Sequence, residues 1–530
     1  MTLPQRSHPL SQTPRLSVAS VAQKPTTHQL IHDKIVKWLK EEASQDVGQI
    51  DYDASLLEFG IDSLGVATIA RELERETRKT LNPEEFFELE TINELADYLD
   101  SLRPAPEPTT RQDAVASPHA AQEAEAVAEE ARTRSTSPID YYERMNRRVR
   151  LLKEQGQYFF EPEVSEHDGA WIVVRGKRML MLGSYEYLGL LGHPRLDEAA
   201  AQAVEKFGTG HHGVRLLAGT TPYHKLLESK LATFMKAEDA IVYGSGYVTN
   251  LTTIAALVGR GDLIIGDQWN HASIFDGCRM SGADLLTYAH NDMGSLAEML
   301  DQANGRRTLV VVDAVFSMDG DIVDLPAVIE LCRKHNALLM VDEAHSLGVL
   351  GETGRGVQEH FDLDPSDIDI KMGTLSKALA GSGGFIAARE EIITFLRHHA
   401  RGYIFSGSVP VSQVATAVAA LEVLEETPEM IQRLRKNCDR YCDGLRELGF
   451  DTGVTKTPIV PIMTRTEAAT LEMTQRCRQD GLMVVPVSFP AVPFDAPRLR
   501  TCMSAAHTND EIDFALQVLG KAGRATGLIG

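Results

Sequence analysis

Hydrophobic positions change their spacing along the chain. From His28 to Leu102 they fall at helical intervals: Leu30, Ile31, Ile35, Val36 and Leu39 share one face, and Ile92, Leu95 and Leu99 another, which predicts a small bundle of amphipathic helices. Residues 103–136 lack aromatic and large aliphatic anchors; they are Pro-rich at the start and then Ala/Glu-rich, the composition of a tether. Beyond Pro138 the pattern turns to short unbroken apolar runs, Ala240–Tyr243, Leu263–Ile265, Leu309–Val312 and Leu338–Val341, separated by helical stretches such as 324–335. Such runs suit strands buried on both faces of a parallel sheet, and the helices between them have the spacing of βαβ crossovers. The expected organisation is a disordered tail over 1–27, a helical domain over 28–102, a linker over 103–136 and an α/β domain with a mostly parallel central sheet over 137–530.

Charge sharpens this division. The chain carries a formal net charge of −22, and residues 28–102 hold 18 Asp plus Glu against 7 Lys plus Arg, so half of the excess sits in about a seventh of the length. That balance argues against a non-specific nucleic-acid binder or a protein drawn to anionic membranes. No apolar run approaches the roughly 18 residues of a membrane span. The 6 cysteines lack paired metal-ligand spacing and read as reduced residues of a cytoplasmic protein, with no metal expected. The first 25 residues contain no acid; a transit peptide is the alternative to a disordered tail.

Candidate chemistry lies in both folded parts. Between the front helices stands Gly60-Ile61-Asp62-Ser63-Leu64, which places a serine hydroxyl at a helix start, where backbone N–H groups favour nearby negative charge. An N-cap is the plainer use of the same residues. In the large domain, Lys377 follows Gly373-Thr374-Leu375-Ser376 and precedes the run Gly381-Ser382-Gly383-Gly384, which reads as flexible. A polar loop with hydroxyls before the lysine suits a Schiff-base amine and a phosphate-bearing aldehyde cofactor, provided the amine is brought below its ordinary pKa of about 10.4. Asp342 directly follows an apolar run, where a carboxylate can hold a pyridinium nitrogen protonated. His345 could donate to the oxygen of the same ring, and His271, in Asn270-His271-Ala272-Ser273, could stack on it. Ser245-Gly246-Tyr247 precedes a helix expected to start near Thr249, its N–H groups placed for a phosphate. Taken singly, each has a structural alternative: a helix-capping Asp, a packed histidine, a common glycine turn.

Taken together, the motifs resemble known families. The Gly60-x-Asp62-Ser63-Leu64 element and its acidic helical surroundings resemble the attachment site of a four-helix acyl carrier domain, which implies phosphopantetheine on Ser63, a phosphopantetheinyl transferase and an acyl-loading enzyme as partners. Gly208-Thr209-Gly210 with Arg215-Leu216, Ser245-Gly246-Tyr247, Asn270-His271-Ala272-Ser273, Asp342-Glu343-Ala344-His345, Gly373-Thr374-Leu375-Ser376-Lys377 and Arg498-Leu499-Arg500 resemble the α-oxoamine synthases, pyridoxal 5′-phosphate enzymes of the type I aminotransferase fold with a smaller C-terminal α+β subdomain. The resemblance implies that Lys377 carries the cofactor and moves the α-proton. Asp342 would pair with the pyridine nitrogen, His271 stack on the ring and His345 touch its oxygen. Thr374, with Gly246 and Tyr247 beside Ser245, would hold the phosphate, and Arg500 would take the amino-acid carboxylate. Bacterial serine palmitoyltransferases look most similar, because Tyr185 stands where synthases acting on glycine or alanine usually have asparagine. His211-His212-Gly213-Val214 departs from the smaller residues usual there.

The expected activity is a decarboxylating condensation of serine, or of alanine or glycine, with an acyl thioester carried on Ser63, in a homodimer. The alternatives are a synthase using free acyl-CoA, whose carrier serves another step, and a carrier or docking protein with an inactive large domain.

Overall fold

The computed structural model describes residues 27–41, 52, 69, 73, 77, 89, 91–102, 139, 146–489, 491–493 and 495–530. The chain forms two compact units, Met1–Leu152 and Lys153–Gly530. In the first, the helices Thr27–Glu41 and Ile92–Ser101 bury Ile31, Ile35, Ile92, Leu95 and Leu99 together with Ile69 and Leu73. This is the helical face expected from the spacing. Thr91 starts the second helix through a reciprocal capping box with Glu94. Ser63 and the rest of its motif lie outside the described residues.

The second unit opens with an antiparallel meander, β1 (Val164–Asp168), β2 (Trp171–Val174) and β3 (Lys177–Met181). Its centre is a seven-stranded sheet of β4 (Asp239–Tyr243), β5 (Leu263–Asp267), β6 (Asp284–Tyr288), β7 (Thr308–Asp313), β8 (Leu338–Asp342), β9 (Ile370–Thr374) and β10 (Gly384–Ala388), in the order β4-β10-β9-β8-β7-β5-β6. Apolar clusters fill both of its faces, so the unbroken runs are buried as expected. The intervening helix Leu325–His335 shows how clearly its ends are written: Asp324 caps the start, Arg333, Lys334 and His335 occupy the last turn, and Asn336 closes it in the left-handed region. The smaller subdomain joins β11 (Ile459–Met463), β13 (Val485–Val487) and β14 (Arg498–Cys502) in an antiparallel sheet, while β12 (Leu482–Met483) extends the opening meander by pairing parallel with β3.

Three sequence expectations are corrected here. The run 240–243 pairs not with a parallel neighbour but with antiparallel β10, which also pairs antiparallel with β9. Gly383 and Gly384, at the entry to β10, are a close-packed junction and not part of a flexible run: a Cβ on Gly384 would lie 2.4 Å from Thr249 Oγ1 and 2.8 Å from Gly246 Cα. Their missing side chains let the helix Gly246–Leu257 press its first turn onto the sheet. That helix also begins three residues earlier than expected, because the Ser245 side chain accepts the Val248 N–H as its N-cap.

Candidate active site

The residues with chemistry to offer converge beyond the carboxyl ends of β4, β5, β7, β8 and β9, where ligands gather in α/β sheets. They line a cavity of about 220 Å3 whose walls include Ser245, Gly246, Tyr247, His271, Asp342, His345, Thr374 and Lys377. Asp342 ends β8 and is held from two sides: Asn250 Nδ2 donates to Oδ2 at 2.7 Å and the Ala344 N–H to Oδ1 at 2.9 Å. Asn250 also donates to Ser273 Oγ at 3.0 Å, and that hydroxyl meets His271 Nδ1 at 2.7 Å. One buried amide thus orients both the carboxylate and the imidazole expected on the ring. Asp313 ends β7 opposite Asp342 in register and accepts the His271 N–H at 2.7 Å. Burial and the neighbouring Asp342 push the Asp313 carboxyl well above its ordinary value.

Lys377 leaves the sheet just after β9. Its Nζ stands 2.6 Å from His345 Nε2, and His345 Nδ1 is 2.7 Å from the hydroxyl of the fully buried Tyr187. Burial pushes the Lys377 amine down to about 8; Asp342 opposes this and Arg500 adds to it. The same burial, with Lys377 and Arg500 close by, drives His345 well below its ordinary value. His271 is also lowered, by burial first, against the pull of Asp342. Arg500 sits on β14 with Nε donating to the Ser317 carbonyl at 2.7 Å, and Tyr187 and Tyr185 flank its guanidinium.

These residues suit a phosphorylated pyridine aldehyde. Gly246 and Tyr247 supply first-turn N–H groups that have no intrahelical partner. A Cβ on Gly246 would come within 3.2 Å of Thr374 Oγ1, so the turn and that hydroxyl share one cradle. Thr374 Oγ1 in turn contacts Ser376 Oγ at 2.7 Å and donates to the Gly383 carbonyl at 3.0 Å. The Tyr247 side chain points its hydroxyl at Asp276, so only its backbone faces the cradle role. Asn250, Asp313, Ser273 and Tyr187 were absent from the expected set. Asp313 carries the same signal as Asp342, an acid directly after an apolar run, and Asn250 is a polar residue on the buried side of a helix.

A mostly parallel sheet with a lysine, a paired carboxylate and an imidazole at its strand ends defines an aminotransferase-like enzyme. Residues 177–519 match the family described as "Aminotransferase class I and II", and residues 30–99 match "Phosphopantetheine attachment site". The chain is 40% identical over 394 residues to the 8-amino-7-oxononanoate synthase of Petrotoga mobilis, covering 74% of this chain and 100% of that one. It is 42% identical over 380 residues to the protein of the same name from Symbiobacterium thermophilum, covering 71% and 97%. Among solved structures, the Sphingomonas wittichii serine palmitoyltransferase superposes with a TM-score of 0.71 at 34% identity, covering 72% of this chain and 97% of that one. The chain belongs to the class I and II aminotransferase family, as a pyridoxal-phosphate-dependent α-oxoamine synthase joined to a phosphopantetheine-attachment domain. Among the described residues no helix is long and apolar enough to cross a membrane.

Proposed function

We propose that the large domain condenses an amino acid, serine by preference, with an acyl thioester and loss of CO2, and that the acyl group is presented on the phosphopantetheine arm of Ser63 in the same chain. Pyridoxal phosphate, when bound, supplies an aldehyde that combines with amines and a ring that withdraws electrons from the amino acid's α-carbon. The protein's own residues do the rest. Asp342, fixed by Asn250 and Ala344, is set to receive a protonated ring nitrogen. His271 offers a face for the ring, and Gly246, Tyr247 and Thr374 offer donors for the phosphate. Arg500 presents a planar fork to the substrate carboxylate, for which a lysine would be a poorer match. Lys377, whose amine burial brings down to about 8, can lose its proton near physiological pH and so take the α-proton and return it to the product.

The observation that carries this reading is the depressed amine of Lys377 inside a cavity bounded by Asp342 on one side and approached by Arg500 on another. The names of the relatives agree with it: one takes serine and an acyl chain, and the other makes an amino ketone. Serine is favoured over alanine or glycine because Tyr185 lies beside Arg500, at the position where, by resemblance, synthases acting on glycine or alanine usually have asparagine. The test is Lys377→Ala in cofactor-reconstituted protein. The substitution should abolish the visible absorption of covalently held cofactor and reduce α-amino ketone formation by at least about 10⁴-fold, since it removes both the attachment point and the proton carrier. A variant that retained the band and turned over would refute the assignment.

A further inference from the structure

Tyr187 is not among the residues expected from the motifs, yet it is wholly buried, and its only polar atom beyond the backbone lies against the site's imidazole. The possible proton positions can be counted. Arg500 beside it carries donors alone, so it can use only a lone pair of the Tyr187 hydroxyl. If Lys377 were an ammonium donating to His345 Nε2, the ring would carry its proton on Nδ1 and donate to Tyr187. The phenol proton would then have no acceptor among the described residues, at a hydroxyl buried from solvent, at the cost of a buried unmade hydrogen bond. The other arrangement leaves no proton stranded: Tyr187 donates to His345 Nδ1 while its lone pairs remain for the neighbouring Arg500, and Nε2–H points at a neutral Lys377. Resting on the reading above, we infer that Tyr187 is a positioning residue that fixes His345 as the Nε2–H tautomer, aiming a donor at Lys377 and at the ring oxygen that His345 is expected to touch. The neutral imidazole agrees with this arrangement, and the amine, brought down to about 8, takes the required neutral form above that pH.

A double-mutant cycle tests it. Tyr187→Phe keeps the volume and loses only the hydroxyl. In reconstituted protein it should move the midpoint of the pH titration of the cofactor's visible band by on the order of one unit and lower kcat about tenfold. The same substitution in a His345→Gln background should shift nothing further. Equal shifts in both backgrounds, or a raised KM for the amino acid with an unmoved band, would mean that the hydroxyl serves Arg500 instead, and the inference would be overturned. A second readout is independent of cofactor uptake, and so separates failure here from failure of the functional reading. In 15N-histidine-labelled apoprotein, the resonance lost on His345→Gln should show protonated Nε2 and bare Nδ1. A proton found on Nδ1 would contradict the assignment.

Discussion

Asp267 and Asp321 hold the two ring nitrogens of His290 at 3.0 and 2.9 Å, while Trp269 stacks on the ring at 3.9 Å and Phe316 meets it edge-on. This strut joins the loop leading to His271 with the turn whose Ser317 carbonyl holds Arg500. Burial by itself would lower the imidazole, but the two carboxylates more than offset it and push it up to about 9. A folded-state value above the unfolded one of about 6.5 means a contribution fully present below pH ~6.5 and lost as pH rises through about 9, worth about 3 kcal/mol. The stability gap between wild type and His290→Asn, read from urea unfolding, should therefore narrow by about that much between pH 6 and pH 10. A gap independent of pH would show that the ring is neutral in the fold. Legibility at this scale depends on whether a residue's partner is local. Asp342 can be picked out because an acid directly after an apolar run sits at a strand end. Asp313 repeats the pattern after Leu309–Val312, but its importance depends on β7 lying beside β8, which no local pattern supplies. Tyr187 and His345 are 158 residues apart in the chain, beyond any reading of spacing.

At the scale of elements, most strands that end at the site were readable because both of their faces are buried; β9 was not, since its buried Lys371 and its Gly373 made the stretch before Lys377 read as a polar loop. Burial on both faces leaves an unbroken apolar run, and the runs at 263–265, 309–312 and 338–341 became β5, β7 and β8. β10 was not readable. Its Gly384-Phe385-Ile386-Ala387-Ala388 follows glycines whose role is close approach, and composition alone cannot separate that from flexibility. The two roles predict different outcomes for Gly384→Ala. A Cβ 2.4 Å from Thr249 Oγ1 should cost at least about 1–3 kcal/mol in denaturant unfolding and weaken cofactor retention, because it displaces the first turn that carries Gly246 and Tyr247. Gly244→Ala is the control: its Cβ would meet nothing within 4 Å and should be near neutral for stability. Equal, small effects at both positions would favour a flexible run.

For the whole molecule, the apolar side chains of Leu216, Leu217 and Phe405 remain exposed on two segments that the Val214–Gly407 bridge draws together. We propose that a second copy covers them, so sedimentation at micromolar concentration should give twice the chain mass, and Leu217→Asp with Phe405→Asp should shift it toward one. A dimer unaffected by both substitutions would place its interface elsewhere. The front domain was legible as a carrier from acidity, helical spacing and Gly60-x-Asp62-Ser63-Leu64, and the match over residues 30–99 agrees. On the proposed reading its use is one of effective concentration, since an acyl arm on a tether of the length expected for residues 103–136 would meet the Lys377 site far more often than a free thioester. The most direct measurement is intact-protein mass spectrometry of chain acylated on the Ser63 arm, before and after serine is added without free acyl-CoA. The account predicts loss of the acyl mass from Ser63 with one α-amino ketone and one CO2 released per chain, and no change in Lys377→Ala. An acyl group that stays on Ser63, while a Ser63→Ala chain makes the same product from free acyl-CoA at an undiminished rate, would contradict it.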